Sequence, residues 1–346
     1  MSERDVVIAG GGMAGISLAL ALAKRLPAHC RITLVEGFAL PPAVATAPDY
    51  HPSFDARSTA LSYSSERIYR SLGLWPLLQR WLSPIETIHV SSRGHFGSTL
   101  LRAADYGWPA LGHVVENAWL GQALLHALRA EGRVELLNPA RVVAAQPTRE
   151  GVALTPEGEA PHSLHAALLV VADGADSGLR ERLGVAATEK SYRQHALICN
   201  VGTAEAHAGC AFERFTDEGP LALLPLLATV GVPHRSALVW TLPPERALHL
   251  LECPEDEFLA ALQQRFGYRL GRLQQAGARH AYPLTLRHCD EQVRAGIAVM
   301  GNAAHALHPV AGQGFNLALR DIWALCEVLA AGMAKGQSPG ALAVLQ

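Results

Sequence analysis

The sequence predicts an α/β fold, a parallel-sheet domain into which a second, β-rich domain is inserted. Three observations predict it. The chain opens with a strand–turn–helix–strand pattern within about 36 residues. Two later apolar runs, Ala167 to Ala172 and Ile297 to Met300, each break at a glycine turn. From about Glu189 to Tyr282 the texture changes, and short β-type runs replace the alternation of strand and helix. Alternating strands and helices build parallel sheets, whereas clustered short strands build antiparallel ones.

The elements follow in order. Asp5 to Ala9 is an apolar strand, then Gly10-Gly11-Gly12-Met13-Ala14-Gly15 turns the chain. Ile16, Leu18, Ala19, Leu20, Leu22 and Ala23 give an apolar helix that ends near Pro27, and a strand from Arg31 to Val35 ends at Glu36. Phe54-Asp55-Ala56-Arg57 is expected to open an apolar helix reaching Leu74-Trp75, and another helix begins near Ala118. Ile85 to Leu101 reads as β and joins the second domain, as do His195 to Val201 and Ala237 to Thr241 with a helix over Glu255 to Phe266. Phe315 to Leu329 reads as a helix with Leu317, Leu319, Ile322, Leu325 and Leu329 apolar. The expected division is residues 1–84, 102–188 and 285–346 for the discontinuous first domain, and 85–101 with 189–284 for the second.

Composition bounds the function. Of the 346 residues, 49% are apolar and 17% charged, enough for a sizeable core and unlike a disordered chain. A net charge of −2 with no long basic run leaves no electrostatic footprint for nucleic acid. The six cysteines are scattered without a Cys-x-x-Cys pair, which suits thiols in a reducing cytoplasm. Met1 to Asp5 is polar and lacks a secretory pattern. Leu221 to Val232 is broken by Pro225 and falls short of the ~20 apolar residues of a membrane span. A soluble cytoplasmic chain is expected, with peripheral contact at the inner membrane compatible with these figures.

The first turn is a dinucleotide fingerprint. Gly10-x-Gly12-x-x-Gly15 follows a strand, opens a helix and is followed by an acidic residue, Glu36, 21 positions after its last glycine. Gly10 permits the tight turn, Gly12 lets backbone approach a pyrophosphate, and Gly15 lets helix and strand pack. The helix N-terminus supplies free N–H groups to the phosphates. Gly10, Gly12, Ala14, Gly15 and Glu36 are therefore candidate cofactor-binding residues of a Rossmann-type domain. A carboxylate at Glu36 accepts from both ribose hydroxyls and repels a 2′-phosphate, so FAD or NAD is expected rather than NADP.

The segment Gly301-Asn302-Ala303-Ala304-His305-Ala306-Leu307-His308-Pro309-Val310-Ala311-Gly312-Gln313-Gly314-Phe315-Asn316-Leu317-Ala318 resembles the second flavin-binding motif of the class A flavoprotein monooxygenases, the para-hydroxybenzoate hydroxylase type. In that family a Gly-Asp begins the motif and the aspartate binds the ribityl chain of FAD; here Asn302 replaces it. Gly-Asn-Ala-Ala with the downstream His-Pro-Val-Ala-Gly-Gln-Gly-Phe-Asn-Leu is similar to the 2-octaprenyl-6-methoxyphenol hydroxylase subgroup of ubiquinone biosynthesis. Phe54-Asp55-Ala56-Arg57, Val114-Val115-Glu116-Asn117, Ala211-Phe212-Glu213-Arg214-Phe215-Thr216 with Gly219-Pro220-Leu221, and Asp173-Gly174 with Arg180 agree with it.

The resemblance implies a para-hydroxybenzoate hydroxylase-like fold holding FAD. Arg57 is expected near the pyrophosphate or ribityl chain, Asn117 against the cofactor, and Asp173, Gly174 and Arg180 at FAD and a transient NAD(P)H. Gly301, Asn302, Gly312, Gln313, Gly314, Phe315 and Asn316 complete the expected cofactor set. Pro309 and Gly312 frame the oxygen site through their backbones, and no side-chain base is identified. The implied reaction is reduction of FAD by NAD(P)H, capture of O2 as a flavin hydroperoxide, and oxygen transfer to the ring of a polyprenylated phenol. Gly219 to Leu227 and Tyr282-Pro283-Leu284 are candidate walls for its apolar tail. Contact with the inner membrane or a ubiquinone-biosynthesis complex is compatible with such a substrate; no motif encodes an oligomeric state.

Independently of the resemblance, glycines flanking Gln313 let backbone approach a flat ring, and the helix that follows aims its amides at whatever the loop covers. His305 and His308 are three apart but lack a third partner, so no metal site is expected. The rival readings are an FAD-dependent reductase that does not activate O2, and a dinucleotide-sensing module without catalysis. The pattern Ala341-Leu342-Ala343-Val344-Leu345 reads as mid-helix at the end of the sequence, and members of the family run further, so a longer chain is expected.

Overall fold

A computed structural model describes residues 2–42, 48–161, 163–308 and 312–346. Its first sheet has five parallel strands in the order Ile297–Val299, Leu164–Val171, Ser2–Ala9, Ile32–Val35 and Val134–Leu137. A hairpin, Ala140–Pro147 and Val152–Gly158, adds to it antiparallel. Ser2–Ala9 is central, and Val6 to Ala9 are buried on both faces, which is why that stretch reads as an unbroken apolar run. On one face Val6 and Ile8 pack with Leu18, Ala19 and Leu22 of the Met13–Arg25 helix and with Leu319, Ile322 and Leu329 of the Gln313–Ala334 helix. On the other, Val7, Leu169 and Val171 pack with Leu179 and Val299.

Register sets the site. Ala9 aligns with Val35 on one side and Val171 on the other, and Val171 aligns with Val299. The strands end at one level, so the turns that follow Ala9, Val171 and Val299 lie side by side at the carboxyl edge, where open α/β sheets bind ligands.

The second sheet has nine strands. Its centre is Ala187–Thr203, Arg235–Leu242, Pro220–Leu226 and Cys210–Phe215, flanked by His280–Cys289 and by Thr87–Ser92 with Ser98–Arg102. The expected boundaries at 188/189 and 284/285 fall inside the first and fifth of these strands. One face carries Leu197, Phe212, Leu221, Leu223 and Trp240, sealed by the helices Pro244–Glu252 and Glu255–Phe266 through Leu250, Phe258, Leu262 and Phe266. The other face, with Ile198, Val239 and Ala222, is only partly buried. Gly219 to Leu227, expected as a wall, therefore divides: Leu221 and Leu223 belong to the sealed core and Ala222 and Leu224 to the open face.

Two expectations change. The helix expected directly after Arg57 is preceded by a strand, Ser58–Ser62, which pairs with Gly112–Glu116, and the helix itself is only Tyr63–Ser71. Ser62 marks the switch, since its hydroxyl accepts from the Ser65 amide as an N-cap. The helix expected over Phe315 to Leu329 is longer, Gln313–Ala334, and starts after Gly312 in a left-handed conformation. Among the described residues no helix is long and apolar enough to cross a membrane.

Candidate functional site

The first glycine turn is locked by its neighbours. Gly10 has φ +112°, and a Cβ there would lie 2.4 Å from the Ala172 carbonyl oxygen. A Cβ at Gly15 would fall 1.8 Å from the Gly10 carbonyl oxygen, so only glycine lets helix and strand approach this closely. Glu36, 9% exposed, accepts from the Gly11 amide at 2.6 Å through Oε2 and from the Phe38 amide at 2.6 Å through Oε1. A carboxylate has about four acceptor sites, so capacity for ribose hydroxyls remains. The Met13–Arg25 helix has no side-chain cap and no acid in its first turn. Among the described residues nothing lies within 4 Å of a Cβ built at Gly12, so the positive dipole end of the helix faces open space there.

These residues face a cleft of about 640 Å³. Gly10, Gly12, Glu36, Asp173 and Gly174 all line it, together with Arg141, Glu157 and Arg182, which the sequence did not single out. Arg182 donates to the Val143 carbonyl at 2.9 Å. Lone arginines on strands and short helices look like surface residues, so only the fold reveals that both edge this cleft.

The third corner meets the same helix end. Gly301 places its Cβ position 3.5 Å from Cβ of Ala14. Asn302, next to it, is exposed and does not line the cleft. Arg180 is 4% exposed, donates to the Ala303 carbonyl at 3.2 Å, and lies outside the cleft lining. It braces the Gly301 turn from behind.

The remaining candidates gather around the strand Ser58–Ser62. Arg57 precedes it, and its carbonyl accepts from the Asn117 amide at 2.8 Å. The Asn117 side chain accepts from the Thr59 hydroxyl at 2.7 Å. Asn117 is the first residue of the Asn117–Glu131 helix rather than a cap before Ala118. Gly312, φ +60°, puts its Cβ position 3.4 Å from Cβ of Ala60. Asn316 is 2% exposed, and its side chain is fully engaged: it accepts from the Ser62 amide at 2.8 Å and the Ser65 hydroxyl at 2.7 Å. It donates to the Ala60 and Gly312 carbonyls at 2.8 and 2.9 Å. With two donor and two acceptor contacts in use, the side-chain amide is committed to the protein, so a contact of Asn316 with the cofactor would be made by its backbone. The side chain fastens the loop.

Past Gly312 the Gln313–Ala334 helix also begins without a side-chain cap or an acid in its first turn, and a Cβ at Gly314 would meet nothing within 4 Å. Gln313 accepts from Arg320 at 3.5 Å, and Phe315 packs on the core. Pro309 lies outside the described residues. His305 pairs with Asp321 at 2.8 Å.

Arg57 does not line the large cleft. With Asn200, Ala237, Val239 and His280 it borders a small cavity of about 50 Å³ on the open face of the nine-stranded sheet. There its guanidinium approaches the Tyr282 hydroxyl at 3.4 Å. Asn200 holds this approach by donating to the Phe54 and Ala56 carbonyls at 2.7 and 2.8 Å.

Two uncapped helix N-termini, two open glycine positions and a carboxylate at the end of the second strand fit an extended dinucleotide carrying a flat ring. Solved structures share the architecture: PqsL of Pseudomonas aeruginosa, in complex with 2-aminobenzoylacetate, superposes with a TM-score of 0.79 at 22% identity, covering 99% of this chain and 90% of that one. The p-nitrophenol 4-monooxygenase PnpA of Pseudomonas putida gives 0.75 at 20% identity, covering 100% and 83%. Among curated relatives, a ubiquinone hydroxylase, UbiL, of Rhodospirillum rubrum is 37% identical over 99% of this chain and 76% of its own length. The 3-demethoxyubiquinol 3-hydroxylase of Escherichia coli is 33% identical over 99% and 83%. The family profile described as FAD binding domain matches residues 3–343. With that match across almost its whole length, the chain belongs to the FAD-binding domain family, among the class A flavoprotein monooxygenases.

Proposed function

We propose that this protein is an FAD-dependent monooxygenase that hydroxylates the aromatic ring of a polyprenylated phenol in ubiquinone biosynthesis, with NAD(P)H as electron donor. The observation that carries the reading is one chain holding two helix N-termini without a side-chain cap or an acid in the first turn, after Gly12 and after Gly312, suited to the pyrophosphate and to the ring of one flavin nucleotide. The names of the two bacterial relatives, both ubiquinone-pathway hydroxylases, support the substrate class.

When bound and reduced, FAD supplies the activation of O2. The chain's residues do the rest. Amides after Gly12 hold the pyrophosphate, and Glu36 accepts from the adenosine ribose. Asp173 and Gly174 line the cleft, and Asn302, next to the Gly301 that meets Ala14, would offer its amide to the ribityl hydroxyls. The amides after Gly312 stabilise negative charge on the reduced ring, as a helix N-terminus does. The open sheet face of Ile198, Val239 and Ala222 receives the apolar substrate and keeps water from the reacting ring. In this reading residues 1–84, 102–188 and 285–346 carry the cofactor, and 85–101 with 189–284 the substrate. A polyprenyl tail makes peripheral contact with the inner membrane the natural route of supply.

The test is isotopic. FAD-loaded protein is supplied with NADH or NADPH, a short-chain prenylated phenol and labelled dioxygen. One labelled oxygen in the product ring is expected. Consumption of NAD(P)H with release of all oxygen as peroxide, with any phenol tried, would assign the reductase instead.

A further inference from the structure

On the open face of the nine-stranded sheet Glu213 stands among apolar neighbours, with the ionisable His280 at the other end of its row, paired with Ile198. Pairing runs in register from Ile198 to Val239, Ala222, Glu213 and Val90, so these five side chains form one row on the same face. Strands are spaced at ~4.8 Å, which puts Glu213 roughly 10 Å from Val239, a residue bordering the small cavity beside Arg57. One step along its strand on that face, Ala211 belongs to the cluster on which Ala60 packs, and Ala60 touches the Gly312 position. Glu213 therefore stands one step along its strand from the cluster on which Ala60, the neighbour of Gly312, packs. Its carboxylate has no hydrogen-bond or ion-pair partner among the described residues. A half-buried carboxylate without a donor is unfavourable, and the donor it lacks is one a ligand can bring.

We propose that Glu213 is the proton acceptor for the ring hydroxyl of the phenolic substrate. This rests on the hydroxylase reading above. The ring O–H bond breaks and its proton passes to a Glu213 oxygen. The electron pair left on the phenolic oxygen flows into the ring, toward the carbon that forms the new C–O bond as the O–O bond of the activated dioxygen breaks; the other oxygen leaves as water, with the two electrons that NAD(P)H supplies through FAD. That carbon then loses its hydrogen as a proton, aromaticity returns, and Glu213 gives its proton back to the first oxygen. Arg57 and Tyr282 stand at the far side of the same face, placed to orient the ring rather than to take its proton.

Burial alone raises the Glu213 carboxyl to about 7. The groups facing it are apolar or neutral: Ile88, Val90 and Ser92 on one neighbouring strand, Pro220, Ala222 and Leu224 on the other. Beyond them Ala237, Val239 and Thr241 carry no charge, and the ionisable His280, Tyr282 and Arg57 lie at the opposite margin, His280 four strands away. The carboxylate form exists above about pH 7, so a phenol that donates to it binds more tightly there.

Calorimetric binding of 2-geranylphenol and of geranylbenzene to FAD-loaded protein, without an electron donor, tests this apart from turnover. Wild-type affinity for 2-geranylphenol is expected to fall roughly ten-fold from pH 8 to pH 5.5, while geranylbenzene shows no such change. Glu213→Gln should abolish the pH dependence and keep the geranylbenzene affinity. In turnover it should lower kcat about 100-fold. Glu213→Asp, which still titrates but reaches less far, should keep the pH dependence with a reduced kcat. If Glu213→Gln keeps the wild-type pH dependence, the assignment of Glu213 is overturned and the hydroxylase reading stands. If wild-type protein binds neither probe at any pH, the prenylated-phenol reading falls, and the assignment with it.

Discussion

Glu36 links the reading of the sequence to the chemistry of the cofactor. Its position after the second strand marks it as a ribose partner, and that much was legible because the spacing from the glycines is a property of one local unit. The spacing did not carry its second role. Glu36 also holds the Gly11 and Phe38 amides, so it shapes the turn that the phosphates meet. Replacing it by glutamine keeps the size but removes the charge and one acceptor. Glu36→Gln is expected to weaken FAD binding about ten-fold, the loss of one charge-assisted hydrogen bond, measured by flavin fluorescence as apoprotein is titrated. Arg235 gives the contrary lesson. It is fully buried, pairs with Glu116, and donates at 2.5 Å to the carbonyls of Leu227 and Ser53. Nothing local distinguishes an arginine at the start of an apolar strand, because its partner stands 119 positions away.

At the scale of elements, two helices were legible and one strand was not. The Met13–Arg25 and Gln313–Ala334 helices announce themselves through long apolar patterns and glycines before their first turns. Ser58–Ser62 is made of small and hydroxylated residues whose pattern is weak in either period. Its pairing with Gly112–Glu116 is what makes it a strand. That strand gathers Arg57, Asn117, Gly312 and Asn316, so missing it concealed why these distant residues converge. Asn316 shows the consequence most sharply. Asn316→Ala deletes four hydrogen bonds, from the Ser62 amide and the Ser65 hydroxyl and to the Ala60 and Gly312 carbonyls, at a largely buried site. The expected result is destabilisation by about 2–4 kcal/mol in urea unfolding. Weaker FAD binding should accompany it, since the Gly312 loop loses its fastening. Asn316→Asp keeps the two acceptor contacts but turns a carboxylate oxygen toward the Ala60 and Gly312 carbonyls, so it should destabilise at least as much.

At the scale of the molecule, the fold class was legible because it depends on the order of apolar runs and turns along the chain, and order is what a sequence records directly. The meeting of the three glycine corners was an inference from strand ends, and the register of Ala9, Val35, Val171 and Val299 supplies its physical basis. The open face of the nine-stranded sheet was less legible. Alternation along Pro220–Leu226 assigns two sets of residues to opposite sides, but only the helices Pro244–Glu252 and Glu255–Phe266, packed on one side, decide which set is sealed. The central claim is that the corners at Gly12, Asp173 and Gly301 and the loop at Gly312–Gly314 serve a single FAD. A crystal structure of the FAD-loaded protein tests it most directly. The account predicts the pyrophosphate on the amides after Gly12, the adenosine ribose at Glu36 and the isoalloxazine ring against Gly314. A flavin whose ring lies away from Gly314, or whose phosphates leave the Gly12 amides free, would contradict it.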